Sequence, residues 1–206
     1  MEIGYKPHAI QAKEHPFDTR TYQKAICSIL YTALGTRPDV TYATSVLGRY
    51  AAQPSTLHWE AVKHLLRYLR GTSDYKSTIY DLSLAHDSQS ILCYADADLG
   101  GEADTSKSTS RIVVYAFGTL IMWKSKKQKV VAQSTMQAEM IASAYGKVQF
   151  DLLKDLTSEI GIASKDITRR RLNSGLNCVP TLDSGNFQSD SRHLRLRYHS
   201  IHEAIA

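Results

Sequence analysis

Three carboxylates sit where phosphate chemistry could use them. Asp96 lies in YADADLGG, where the apolar run SILCY breaks into a glycine-rich turn. Glu139 lies in STMQAEMIA, near the start of a segment with helical periodicity. Asp183 ends the short run VPTLD, before another turn. Strand ends and helix starts can converge on one rim of a sheet. Converging carboxylates repel one another unless a cation lies between them, and hard cations such as Mg2+ take oxygen ligands of this kind. Two such cations, about 3.5–4 Å apart, activate a water and stabilise the leaving oxygen in phosphodiester cleavage. A local reading competes for each acid: a strand-end Asp closes a turn, and a first-turn Glu complements the helix dipole. Asp98 shares a face with Asp96 by period-two alternation, so spacing leaves both as candidates for the first acid.

The basic residues form two groups. Lys63, Arg67 and Arg70 recur at i, i+4 and i+7, which puts them on one helix face able to track a phosphate backbone. A solvated face accounts for the same spacing. Lys124, Lys126 and Lys127, with Lys129, follow the apolar run TLIMW and precede the Glu139 segment, which places them near the acids as candidate nucleic-acid contacts. Arg169, Arg170 and Arg171 fall in the polar stretch SKDITRRRLNSG and read as loop. Trp59 and Trp123 read as packing residues, and the scattered histidines offer too few ligands for a metal site.

Bulk properties agree with a globular chain that could meet nucleic acid. The net charge is +5 and the pI about 9.0, a mild excess. The 3 cysteines, Cys27, Cys93 and Cys178, are far apart and make no CxxC pair, against a zinc or dithiol motif. No run reaches the roughly 18 apolar residues of a membrane helix. The N-terminal text mixes charges and histidines and lacks the apolar core of a secretory signal, so an intracellular, non-membrane protein is expected.

The elements that would carry these residues follow from periodicity. Residues 1–18 read as an irregular lead-in with Pro7 and Pro16. A helix is predicted from Thr19 to Leu34, stopped by Gly35; a second starts near Pro38; a third follows Pro54, with Ser55 as its N-cap, and stops at Gly71. SILCYADADLGG, RIVVYAF and TLIMW read as strands, the last two joined at Gly118. A long helix is expected over Ser134–Ile160, then a strand in NCVPTLD and a helix in SRHLRLRYHSIHEAIA. Strands in a hairpin, a crossover helix and a further strand make an α/β layer with one mixed sheet.

Several phrases, in order, resemble the C-terminal part of copia-type retrotransposon pol. They are RPDVTYATSVLGRY, HWEAVKHLLRYLRGTSDY, YADADLGG, KSTSRIVV, MWKSKKQKVVAQSTMQAEMIA and SRHLRLRYHSIHE. In that family the first two close the reverse transcriptase, and the rest belong to the RNase H domain. The resemblance implies a helical thumb or connection segment over residues 19–86 and an RNase H-like mixed sheet with flanking helices over 87–206. It implies Mg2+ or Mn2+ as cofactor, an RNA–DNA hybrid as substrate and the remainder of the pol polyprotein as partner. Its location would be cytoplasmic, in a virus-like particle, with the nucleus as an alternative.

Carried over by motif, Asp96 matches the first acid, Glu139 the helix acid and Asp183 the acid of a DN phrase. This chain departs from the pattern at Leu99 for Trp, Arg111 for Gly, Gln137 for an acid, Met140 for Tyr and Ser184 for Asn. In the family a last strand and a helix with a fourth acid follow the final phrase. The resemblance therefore predicts an RNase H-like domain without them, and no polymerase activity, because the YxDD acids are absent from this sequence. A catalytically inactive remnant that at most binds nucleic acid is the rival expectation.

Overall fold

In the computed structural model, residues 6–76 and 91–161 are described, together with the backbone of 171–174. The chain forms two compact units, Met1–Ser77 with Glu102–Ser106, and Thr78–Gly101 with Lys107–Ala206.

The first unit is helical. Helix α1, Thr19–Gly35, begins where the Asp18 carboxylate accepts the Thr21 N–H. Pro38 opens a single 3-10 turn, Pro38–Val40, rather than the second helix itself. Helix α2 then runs Thr41–Gly48. Helix α3, Thr56–Gly71, is capped by Ser55 as expected, in a reciprocal box whose partner is His58 rather than Glu or Gln. Tyr22, Ile26, Ile29, Leu47, Val62 and Leu65 meet in one core. Trp59 packs beside it, stacked on Phe17 at 4.5 Å.

Two phrases singled out in the sequence clasp each other here. Arg37 of RPD forks onto Asp39 and reaches Thr72 of YLRGT, with Nη1 2.9 Å from the Thr72 carbonyl and Nη2 2.6 Å from its hydroxyl. The Tyr68 hydroxyl donates to the same Asp39 carboxylate. The segment Glu102–Ser106 adds a part-buried pair, Glu102 with Arg49 at 3.3 Å. Both carboxylate oxygens of Asp104 accept the Ala9 N–H.

The second unit is an α/β fold with one mixed sheet. Strands β1 (Ile91–Ala97), β2 (Thr109–Ala116), β3 (Thr119–Lys127) and β4 (Arg171–Ser174) lie in the order β3-β2-β1-β4. The first three are antiparallel neighbours, and β4 runs parallel to β1. The β2–β3 turn is Phe117–Gly118, both at positive φ (54° and 75°), the pair of conformations a two-residue hairpin turn needs. Helix α4, Thr135–Glu159, is capped by Ser134 and bridges β3 to β4. It covers a core of Ile91, Cys93, Ala95, Ile112, Val114 and Phe150.

Two expectations need correction. The apolar text TLIMW ends before the strand does: β3 continues through Lys127, because Thr109–Ile112 of β2 go on pairing with Lys127–Lys124. Lys124, Lys126 and Lys127 are therefore strand residues. Arg171 opens a strand rather than lying in a loop; its segment pairs with Leu92–Ala95. The strand expected at NCVPTLD, with Asp183, and the helix expected at SRHLRLRYHSIHEAIA lie outside the described residues.

Candidate active site

Asp96 sits near the end of β1, and Glu139 in the first turns of α4. Alternation along β1 turns Cys93 and Ala95 into the core and leaves Tyr94 and Asp96 exposed. Glu139 is pinned by its helix's start. The Gln128 side chain, buried just past β3, donates to the Ala138 carbonyl at 2.9 Å and to Ser110 Oγ at 3.0 Å. Its backbone N–H donates to the Ser108 carbonyl. The α4 start is thereby tied to the edge of β2.

Burial raises the Glu139 pKa first of all; the Ala97 backbone N–H works against that, and the charge of nearby Asp96 raises it further. Glu139 is only 8% exposed, and its Oε2 is buried without a hydrogen-bond partner. A buried carboxylate oxygen left this way is costly unless something positive or donating reaches it. A divalent cation held by Glu139 and Asp96 would satisfy it, so the donor set fits such an ion. Among the described residues no three His, Cys, Asp or Glu converge, and Asp183 lies beyond them.

Asp98, the rival of Asp96 by spacing, has a different task. Its Oδ1 accepts the Thr109 N–H, which closes the loop between β1 and β2. A Cβ at Gly101 would overlap the Asp98 carboxylate, so glycine there lets the turn close on it. Asp96 instead faces Arg111 directly across the β1–β2 ladder, with Arg111 Nη1 3.1 Å from Asp96 Oδ2. Arg111 Nη2 is 3.9 Å from Asp98 Oδ2. Arg111 and Gln128 were not among the candidate site residues. Counting residues across the ladder would have found Arg111, and an SKKQ phrase ending a strand would have hinted at Gln128.

The basic residues divide between surfaces. Lys124 and Lys126 take the α4 side of β3: Lys124 Nζ is 2.5 Å from Gln149 Oε1, and both ammonium groups lie over the Tyr145 ring, at 5.9 and 5.0 Å. Alternation puts Lys127 on the opposite face, the one that carries Arg111 and Asp96. On α3, Arg67 and Arg70 are exposed, and half-buried Lys63 pairs with Glu60 at 2.6 Å.

No family model matches the chain. It is 34% identical over 185 residues to the Retrovirus-related Pol polyprotein from transposon TNT 1-94 of Nicotiana tabacum, covering 89% of this chain and 13% of that one. It is 32% identical over 191 residues to the Pol polyprotein from transposon RE2 of Arabidopsis thaliana, covering 91% and 12%. A Plasmopara viticola protein named Secreted RxLR effector protein 161 is 36% identical over 121 residues, covering 59% and 82%. Among solved structures, RNase H1 from the archaeon Halobacterium salinarum NRC-1 is 13% identical with a TM-score of 0.36, covering 56% of this chain and 76% of that one.

The second unit sets one long helix against a mixed sheet. The chain belongs to the copia-type retrotransposon Pol polyprotein family, and it spans about an eighth of the length of the two polyproteins named (13% and 12%). No described helix is long and apolar enough to cross a membrane.

Proposed function

We propose that this chain is an RNase H-type segment of a copia-type Pol polyprotein that cuts the RNA strand of an RNA–DNA hybrid. The observation that carries the reading is the partnerless, buried Glu139 Oε2 beside the exposed Asp96 carboxylate at the rim of the sheet. Asp96 and Glu139 would hold Mg2+ or Mn2+, with Asp183 the third acid by motif. A divalent cation bound there would supply Lewis acidity, lowering the pKa of water and offsetting charge on phosphoryl oxygens.

The chain's own residues do the rest. Asp96, open to solvent, and Glu139, buried at the start of α4, would be that cation's protein ligands. Gln128 keeps Glu139 in register through Ala138. Lys127 contacts the hybrid's phosphates in this unit, and the Lys63, Arg67 and Arg70 stripe of the helical unit is a phosphate-binding face of its own; Lys124 and Lys126 brace the sheet edge against Tyr145 and reach phosphate only by leaving that ring. The segment works within the remainder of the Pol polyprotein, in the cytoplasm or nucleus.

A second reading is a remnant that binds nucleic acid without turnover, and the Arg111 guanidinium on Asp96 favours it. Incubation of a 5′-labelled RNA–DNA hybrid with the purified chain, with Mg2+, with Mn2+ and with EDTA, separates the two. Metal-dependent cutting of the RNA strand supports the hydrolase. Salt-sensitive binding with intact RNA under every condition supports the remnant.

A further inference from the structure

We propose that Arg111 competes with a divalent cation for the Asp96 carboxylate and so sets how tightly this chain holds a divalent metal. The proposal rests on the reading of Asp96 and Glu139 as a cation site. The argument begins with strand register. Asp96 and Arg111 are directly opposed in the antiparallel β1–β2 pair, so their side chains leave the sheet on the same face as nearest neighbours. The guanidinium therefore needs no special loop to reach the acid, and it sits with Nη1 3.1 Å from Oδ2. Its second nitrogen leans toward Asp98, 3.9 Å away. One cationic fork thus spans both acids of the ADAD phrase.

A metal that takes Asp96 as a ligand must either displace that fork from Oδ2 or bind with a fixed positive charge a few ångströms away. Both weaken binding. The Asp96 and Arg111 side chains are 56% and 42% exposed. Water screens the pair, so the guanidinium competes with a metal and does not block it. Removing the positive charge while keeping length and hydrogen-bonding reach should tighten metal binding roughly three- to tenfold, the scale of one partly screened charge pair. Keeping the charge on a lysine should restore most of the competition.

The test is titration of the intact chain with Mn2+ alone, following the free-ion signal by electron paramagnetic resonance. It compares the natural chain, Arg111→Gln, Arg111→Lys and Asp96→Asn, each checked for native circular dichroism. The expected result is binding about three- to tenfold tighter in Arg111→Gln, near-natural binding in Arg111→Lys, and loss of that site in Asp96→Asn. Equal or weaker binding in Arg111→Gln, with Asp96→Asn still abolishing the site, overturns the role of Arg111 and leaves the acidic site standing. If neither the natural chain nor Arg111→Gln binds Mn2+ in an Asp96-dependent way, the acidic site itself fails, and the proposal with it.

Discussion

The Gln128 side-chain amide donates to the Ala138 carbonyl at 2.9 Å, one residue before Glu139. Through this bond a residue just past β3 fixes where α4 starts and hence where its acid stands. Gln128→Leu keeps the volume and removes the donors to Ala138 and Ser110. Leaving those buried acceptors short costs about 1–3 kcal/mol of stability in the second unit. Denaturant unfolding checks the loss, and hydrogen exchange should show faster opening of the first turn of α4.

Gly146 faces β1 from the middle of α4. A Cβ there would lie 3.2 Å from Cys93 Sγ and 3.3 Å from the Ala95 Cβ. Ala95 Cβ is fixed to the strand backbone and cannot swing aside. Helix propensity alone predicts that Gly146→Ala gains about 1 kcal/mol. Overpacking at this contact costs about 1–3 kcal/mol and should outweigh it. The expected outcome is a lower melting temperature, whereas Gly71→Ala, with no atom within 4 Å of its new Cβ, should be neutral or stabilising. A raised melting temperature in Gly146→Ala would show that α4 can move away from β1 at little cost.

His58 gives the helical unit a pH dependence. Its Nδ1 accepts the Ser55 N–H at 3.0 Å, and its Nε2 lies 2.9 Å from the His8 carbonyl, so the neutral ring protonated at Nε2 fits both. Burial, the largest cause, lowers its pKa, and the His8 carbonyl opposes that in part. The unfolded chain takes up a proton near pH 6.5 that the folded chain resists. The stabilisation from neutral His58 is therefore complete above about pH 6.5 and is lost as pH falls through the lowered folded value. Amide exchange of α3 at pH 7.5 and pH 5 should show this loss. His58→Gln, a capping-box residue without a titrating ring, should lose less protection between the two pH values. An equal loss in both proteins would remove His58 as the cause.

Helices and caps were readable from local signals. Ser55 marks a helix start by chemistry that acts within one turn, and the structure uses it; Gly35 and Gly71 are the last residues of their helices, with Thr36 and Thr72 as the C-caps. Strand ends were not readable in that way. Lys124, Ser125, Lys126 and Lys127 carry no apolar alternation, yet backbone pairing with β2 holds them in β3 and sends alternate lysines to opposite faces. β4 was hidden for a similar reason: its residues, RLNS, look like loop, and only the parallel partner β1 makes them a strand. In the candidate site, period two put Asp96 and Asp98 on one face and could not rank them. The difference between them comes from a backbone N–H eleven residues on, at Thr109, which occupies Asp98. Arg111 opposite Asp96 is likewise a matter of register, which no single-strand pattern contains.

The central claim is that Asp96 and Glu139 together carry metal-dependent cleavage of RNA in a hybrid. The most direct measurement is single-turnover cleavage of a labelled RNA–DNA hybrid by the natural chain, Asp96→Asn and Glu139→Gln, in Mg2+ or Mn2+ with an EDTA control. The account predicts cutting of the RNA strand by the natural chain, abolished by EDTA and reduced at least about a hundredfold in each variant, the scale on which positioned catalytic groups act. Cleavage that survives undiminished in natively folded Asp96→Asn, or no cleavage by a natively folded natural chain, would contradict it.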